Sequence, residues 1–89
     1  MTEEDYISYV CNRVKELRIQ KGIKQVDLAS EVGIDDSNLR RLENNRTSPT
    51  LKTLFRISHA LQVDVADLLP NVKNQTNHSF DKSKSESKE

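Results

Sequence analysis

The chain has 89 residues, a formal net charge of zero and one cysteine, Cys11. A lone cysteine forms no internal disulfide, the acidic N-terminus is unlike a signal peptide, and no apolar stretch approaches the length of a membrane span. We therefore expect a cytoplasmic protein with no membrane segment. The length corresponds to a single domain, which we place at residues 1–70, followed by a polar tail at 71–89 that we expect to be disordered.

The first predicted helix covers residues 3–21. Apolar residues recur at spacings of three and four between Ile7 and Leu17, which indicates one buried helical face. Thr2 is the expected N-cap, and Gly22 is the expected stop. Tyr6 and Tyr9 lie toward the N-terminal end, where they belong either to the edge of the core or to a dimer surface; we favour the core edge.

The pattern that begins at Gln25 predicts two short helices, at 25–32 and 36–44, joined by a sharp turn at Gly33. The first has an apolar side, and Asp35 is the expected N-cap of the second. Leu39 and Leu42 give the second helix a narrow apolar stripe and leave its other side polar and partly basic. A short helix of this kind fits the major groove of DNA.

The fourth predicted helix covers residues 49–61, with Ser48 as its N-cap and Pro49 at its first position. It is expected to be the central packing helix, with a broad apolar face. A last short helix is expected at 65–69, capped by Asp64 and stopped by Pro70. The expected apolar face of the fourth helix consists of Leu51, Leu54, Phe55, Ile57, Ser58 and Leu61.

From about residue 14 to residue 69 the chain resembles the lambda repressor/Cro type of helix-turn-helix domain, the group that includes XRE-like regulators. The resemblance implies an all-α, compact five-helix lambda repressor-like fold. No single landmark is diagnostic, but their order and spacing are specific. The main landmarks are Leu17-Arg18 before Gly22, Gln25, Leu28-Ala29, Val32-Gly33-Ile34, Leu42-Glu43, Pro49 and Leu61-Gln62-Val63.

The resemblance implies that Asp36, Ser37 and Arg41 reach base edges in the major groove, with Asn38 beside them. Arg41 can donate two hydrogen bonds to guanine, Asp36 can accept one from the amino group of cytosine, and Ser37 can serve either base. Base contact and helix capping remain equal alternatives for Asp36. Asp35 is expected mainly to cap the helix.

A second set of residues is expected to contact phosphates. In the resembled family, the glutamine at the position of Gln25 braces the second helix of the motif and touches a phosphate. Asn45 stands where the family usually has glycine, and asparagine tolerates the left-handed backbone conformation that this turn needs. Glu43 is expected to be structural and to bond locally. The expected phosphate-contacting residues are Gln25, Arg40, Asn44, Arg46, Thr47 and Lys52.

These features predict a sequence-specific DNA-binding regulator, and more specifically a repressor, that binds an inverted repeat as a homodimer. By resemblance, the end of the fourth helix and the C-terminal part make the dimer contact. The alternative is an antitoxin or a restriction-modification controller with a protein partner. An enzyme is excluded because the chain offers no catalytic, cofactor-binding or metal-binding set. We expect Cys11 to be a core residue and His59 to be structural or solvated.

Overall fold

The computed structural model describes residues 1–71. Within that range the chain forms four α-helices, α1 (Glu3–Gln20), α2 (Gln25–Val32), α3 (Asp36–Glu43) and α4 (Leu51–Leu61), followed by a short 3-10 helix, η1 (Val65–Leu68). The all-α fold is confirmed, but the described chain has four α-helices rather than five. The tail expected at 71–89 lies, except for Asn71, outside the described residues.

The fifth element is a 3-10 helix because the chain around it is too constrained for an α-helical turn. Pro70 disfavours helical geometry in the preceding residue, and Leu69 is extended, with φ −102° and ψ 152°. The backbone bonds therefore span three residues, from the N–H of Asp67 to the carbonyl of Asp64 and from Leu69 to Ala66.

All four α-helices end in the same hydrogen-bonded motif. Each is followed by a residue with positive φ: Gly22 (69°), Gly33 (85°), Asn45 (62°) or Gln62 (60°). In each case the next N–H bonds to a carbonyl five residues back, at 2.8–3.1 Å. This is the Schellman arrangement, which satisfies carbonyls that a helix end leaves free. The left-handed conformation expected for Asn45 is therefore confirmed.

The helix starts agree with the sequence at α1 and α3 and differ at α4. Thr2 caps α1, because its hydroxyl accepts a bond from the N–H of Asp5 at 3.0 Å. Asp35 is the N-cap residue of α3, as predicted, but its side chain makes no capping hydrogen bond. The predicted start of α4 at Pro49 is wrong.

Helix α4 begins at Leu51 because the hydroxyl of Thr50, and not that of Ser48, caps it. The Thr50 hydroxyl accepts a bond from the N–H of Thr53 at 3.1 Å and also contacts the Thr53 hydroxyl at 3.1 Å. Thr50 therefore gains two bonds with one partner in the first turn, which fixes the start two residues later than expected.

The core lies between α4 and the other elements, since α4 packs against α1, α2 and η1. Ile57 and Leu61 are fully buried there, as expected. Leu51 and Phe55 are 82% and 61% exposed, so their predicted place in the core is wrong. They lie at the edge of the face formed by the buried α4 residues and turn into solvent. The buried apolar residues described are Val10, Cys11, Val14, Leu17, Leu28, Ala29, Val32, Leu39, Leu42, Leu54, Ile57, Leu61 and Leu68.

Three further side chains lie closer to the surface than expected. Tyr6 and Tyr9 are exposed, and Val26, expected on the apolar side of α2, is about half exposed. Glu43, in contrast, is almost completely buried. No helix in the described part of the chain is long and apolar enough to cross a membrane.

Candidate nucleic-acid interface

Helices α2 and α3 form a compact pair joined by the Gly33 turn, and α3 also packs against α1. Leu39, Leu42 and Glu43 are the buried residues of α3. Its other residues are exposed. The element therefore presents one continuous polar side to solvent, as a helix that enters the major groove must do. We call α3 the recognition helix because of this geometry.

The four residues predicted to contact bases all lie on the exposed side of the recognition helix: Asp36, Ser37, Asn38 and Arg41. Asn38 and Arg41 are one turn apart, and the Arg41 Nη2 donates a hydrogen bond to the Asn38 Oδ1. Both side chains border a concavity of about 270 Å³ that also includes Thr47 and Thr53. The guanidinium is therefore already oriented by a neighbour on the same helix.

Asp36 lies in the first turn of the recognition helix, where the helix dipole favours a negative charge. Within residues 1–71, neither Asp35 nor Asp36 takes part in an ion pair or a side-chain hydrogen bond. Both carboxylates thus face solvent with their acceptor capacity unused. This position is compatible with both roles predicted for Asp36, base contact and helix capping.

The residues predicted to contact phosphates are not equivalent in the structure. Asn44, Arg46 and Thr47 form an exposed turn directly after the recognition helix. Arg40 is exposed on α3, and Lys52 is exposed in the first turn of α4. These five side chains are free to approach a DNA backbone beside the recognition helix.

Gln25 differs from this set because it is half-buried and already bonded. Its Nε2 donates to the Glu43 Oε1 at 3.0 Å. This contact joins the first turn of α2 to the last residue of the recognition helix. The amide retains a second N–H for another acceptor, so bracing the recognition helix and contacting a phosphate are chemically compatible.

Arg18, to which the sequence analysis assigned no function, makes three hydrogen bonds beside the end of the recognition helix. Its Nε and Nη2 donate to the two Glu43 carboxylate oxygens at 2.7 and 3.0 Å, and its Nη1 donates to the Ile23 carbonyl at 2.8 Å. Glu43 was expected in the interior, and a buried carboxylate needs a cationic partner. This requirement could have identified a basic residue such as Arg18 from the sequence. The pairing links α1 to the end of the recognition helix.

Cys11 packs beneath the turn that follows the recognition helix. Its thiol is fully buried and contacts the Thr47 carbonyl, with an Sγ to oxygen distance of 3.6 Å. Burial raises the pKa of the Cys11 thiol above its ordinary value of 9.0. The group therefore remains a neutral donor and a packing residue in the folded chain.

The described residues offer no separate chemical centre beside this surface. Across residues 1–71, no three His, Cys, Asp or Glu side chains come close enough to hold a metal ion. His59 stacks on Phe55, with ring centroids 6.1 Å apart and an interplanar angle of 17°. This contact gives the imidazole a packing role.

The two packed helices, the left-handed turn between them and the exposed side of α3 define a helix-turn-helix domain. A family model described as helix-turn-helix matches residues 14–68, which is more than half of the chain. The chain therefore belongs to the Cro/C1-type (XRE) helix-turn-helix family, as the resemblance indicated.

Two curated relatives illustrate the family. The HTH-type transcriptional regulator DdrOP3 of Deinococcus deserti is 36% identical over 64 residues, covering 72% of this chain and 50% of the regulator. The antitoxin HipB of Escherichia coli (strain K12) is 34% identical over 56 residues, covering 63% of this chain and 64% of the antitoxin. The chain thus spans about half the length of DdrOP3.

Solved structures share the fold across several contexts. The restriction-modification controller protein C.AhdI of Aeromonas hydrophila has a TM-score of 0.68 at 28% identity, with 73% of this chain and 97% of that chain covered. Hydroxypropylphosphonic acid epoxidase of S. wedmorenis has a TM-score of 0.67 at 27% identity, but only 35% of that chain is covered. The fold therefore occurs both as nearly a whole protein and as part of a longer one.

Proposed function

We propose that the chain is a sequence-specific transcriptional repressor that binds an inverted-repeat operator as a homodimer. The recognition helix enters the major groove, and Asp36, Ser37, Asn38 and Arg41 face base edges there. The single observation that carries this proposal is the exposed polar side of α3, positioned on a buried core of α1, α2 and α4. Membership of a family of DNA-binding regulators supports the same conclusion.

The local charge supports DNA binding although the net charge of the chain is zero. Glu43 is the only acid between residues 40 and 56. Because Glu43 is buried against Arg18, its charge is balanced inside the fold and does not reduce the positive potential at the surface. A local excess of cations of this kind attracts phosphates and steers association. The cations of this stretch are Arg40, Arg41, Arg46, Lys52 and Arg56.

Contacts to phosphates would set the register, and contacts to bases would carry the sequence information. The turn at Asn44–Thr47 follows the recognition helix directly, so both kinds of contact fall on one surface. Gln25 and Lys52 border the same surface at the starts of α2 and α4. Two carboxylates, Asp35 and Asp36, stand at the N-terminus of the recognition helix, where they would repel nearby phosphates and favour a base that donates a hydrogen bond.

The experiment that tests this proposal is selection of bound sequences from a random duplex library by the full chain at moderate salt. We expect enrichment of a palindrome whose half-sites lie about one helical turn apart, roughly 10 base pairs. The Arg41→Ala variant should lose preference at one base pair of each half-site. Lys15→Ala is the matched control, because it removes the same charge from an exposed position of α1. A folded chain that enriches no sequence would overturn the proposal.

A second candidate function is that of an antitoxin or a restriction-modification controller. The similarity to HipB and to almost the full length of C.AhdI favours it. Because such proteins also bind DNA, library selection does not separate the two functions. The neighbouring genes do: a toxin gene or a restriction-modification pair next to this gene would favour the second candidate. Neither function requires a catalytic residue, a cofactor or a metal ion.

A further inference from the structure

A shallow apolar groove of about 220 Å³ lies between the N-terminal half of α1, the start of α4 and the segment after η1. Val10 and Leu54 are buried in its floor, and Leu69 is half-buried there. Tyr6, Pro49 and Leu51 form its rim. We call this surface, together with the neighbouring Phe55, the α1–α4 groove.

The rim of the α1–α4 groove carries large apolar side chains that no part of the described chain covers. Leu51 and Phe55 are one helical turn apart on α4 and are 82% and 61% exposed. Exposed apolar residues scattered singly are ordinary, but several of them beside an apolar groove are typical of an interaction surface. The stacking of Phe55 on His59 holds the aromatic ring at the surface.

The α1–α4 groove adjoins the candidate DNA surface without including it. Ser48 and Pro49 line both this groove and the concavity beside the recognition helix. No residue of α3 lines the groove. A partner in the groove would therefore leave the recognition helix free and would still lie close to it. An inverted repeat needs this relationship between two copies of one protein.

Opposite charges flank the two sides of the groove. Glu3 and Glu4 lie in the first turn of α1, just before Tyr6. Lys52 and Arg56 directly follow Leu51 and Phe55 on α4. In the part of the chain that the structure describes, none of these four charges belongs to an ion pair. In a two-fold pairing, the acidic edge of each copy can face the basic edge of the other.

We propose that a second copy of this chain covers the α1–α4 groove, with Leu51 and Phe55 as the central anchors of a two-fold interface. This inference rests on the proposed function, because it locates the contact of the proposed homodimer. The family resemblance implied a contact at the end of α4 and in the C-terminal part. At that end Leu61 and Leu68 are buried in the core of their own chain, and Leu69 lines the groove.

The test is analytical ultracentrifugation of the full chain without DNA over a wide concentration range. Leu51→Gln/Phe55→Gln removes the proposed anchors and retains α4, because glutamine is a good helix former. Ile19→Gln/Val26→Gln is the matched control, since Ile19 and Val26 are also apolar and exposed, at 57% and 49%, but do not line the groove. Circular dichroism checks that all variants are folded.

We expect the wild type to dimerise and the Leu51/Phe55 variant to dimerise at least about tenfold more weakly, as for central anchors of an interface. The control should dimerise like the wild type. Three outcomes would each overturn the proposal: a wild type that stays monomeric, a Leu51/Phe55 variant that dimerises normally, or a control that weakens equally.

A DNA measurement separates this inference from the proposed function. The preference for a duplex that contains one half-site over a scrambled duplex depends on the base contacts of a single copy and does not require dimerisation. If the Leu51/Phe55 variant keeps this preference while losing dimerisation, both proposals are supported. If the wild type dimerises but shows no preference for any half-site, the repressor proposal fails and the inferred interface stands.

Discussion

Arg18 and Glu43 form a two-point ion pair that fixes the last residue of the recognition helix to the end of α1. The Glu43 side chain is 1% exposed and that of Arg18 is 12% exposed. Glu43 also accepts a bond from Gln25, and Arg18 also bonds to the Ile23 carbonyl. The Glu43 carboxylate therefore joins α1 and the start of α2 to the end of α3, and Arg18 adds the segment before α2 to this network. This network determines the position from which α3 can reach DNA.

Arg18→Met should destabilise the fold strongly. The change leaves a buried carboxylate without its cation, and breaking one partner of a buried pair costs about 3–5 kcal/mol. Urea unfolding followed by circular dichroism measures the loss. Glu16→Gln is the control, because it breaks the exposed Arg13–Glu16 pair at 3.1 Å and should cost less than about 1 kcal/mol. Equal losses in the two variants would contradict a special role for the buried pair.

Arg41 and Asn38 should act on DNA as one unit rather than as two independent contacts. Arg41→Ala should cost about 1–3 kcal/mol of binding to the selected operator and relax discrimination at one base pair. If Asn38 orients the guanidinium, Asn38→Ala adds little once Arg41 is gone. Binding titrations of both single variants and the double variant give the coupling energy. Additive losses would show that each side chain contacts DNA by itself, and an equal loss on random DNA would make Arg41 a phosphate contact.

Gln62→Gly should stabilise the chain by about 0.5–1 kcal/mol. Gln62 ends α4 with φ 60°, where a side chain is strained and glycine is not. A replacement by glycine inside a helix should instead lower the stability of the fold. Lys15→Gly, in the exposed middle of α1, should destabilise by about 1 kcal/mol. Thermal unfolding of both variants distinguishes the two signs, and a loss of stability in Gln62→Gly would contradict the strain argument.

Cys11 should weaken the fold at alkaline pH. Because burial raises its pKa, the folded thiol keeps its proton while the unfolded thiol ionises as the pH passes its ordinary value of 9.0. The contribution of the neutral thiol to the free energy of unfolding is complete below that pH and is lost as the pH rises toward the raised pKa of the folded state. The advantage of the wild type over Cys11→Ala in unfolding free energy should therefore shrink from pH 7 to pH 10. A constant difference would argue against burial as the cause.

Patterns within a single helix were sufficient to predict much of the fold. The three-to-four spacing in α1 located Val10, Val14 and Leu17 in the core, and all three are buried. Asparagine tolerates the left-handed backbone conformation, which predicted that Asn45 adopts it in the turn after α3; its φ is 62°. Both features depend on nearby residues and on steric rules that apply to any chain.

The sequence did not predict features that depend on a choice between two suitable residues or on contacts between residues far apart in the chain. Ser48 and Thr50 both satisfy the rules for a cap, and only the bonds between Thr50 and Thr53 decide between them. Leu51 and Phe55 fit an apolar pattern, but no other element within residues 1–71 covers them. Arg18 and Glu43 are 25 residues apart, so no local pattern connects them. The base and phosphate contacts remain predictions, because they depend on the position of the DNA.

The contact between Cys11 and Thr47 shows that the folded unit begins before the segment that the family model matches. The family model begins at residue 14, yet Val10 and Cys11 are already in the core and Thr2 caps their helix. A fragment cut to residues 14–68 would lose these two core side chains and the thiol beneath the Thr47 turn. Transplanting the segment matched by the family model alone into a fusion protein would therefore transfer the recognition helix without part of the support that positions it.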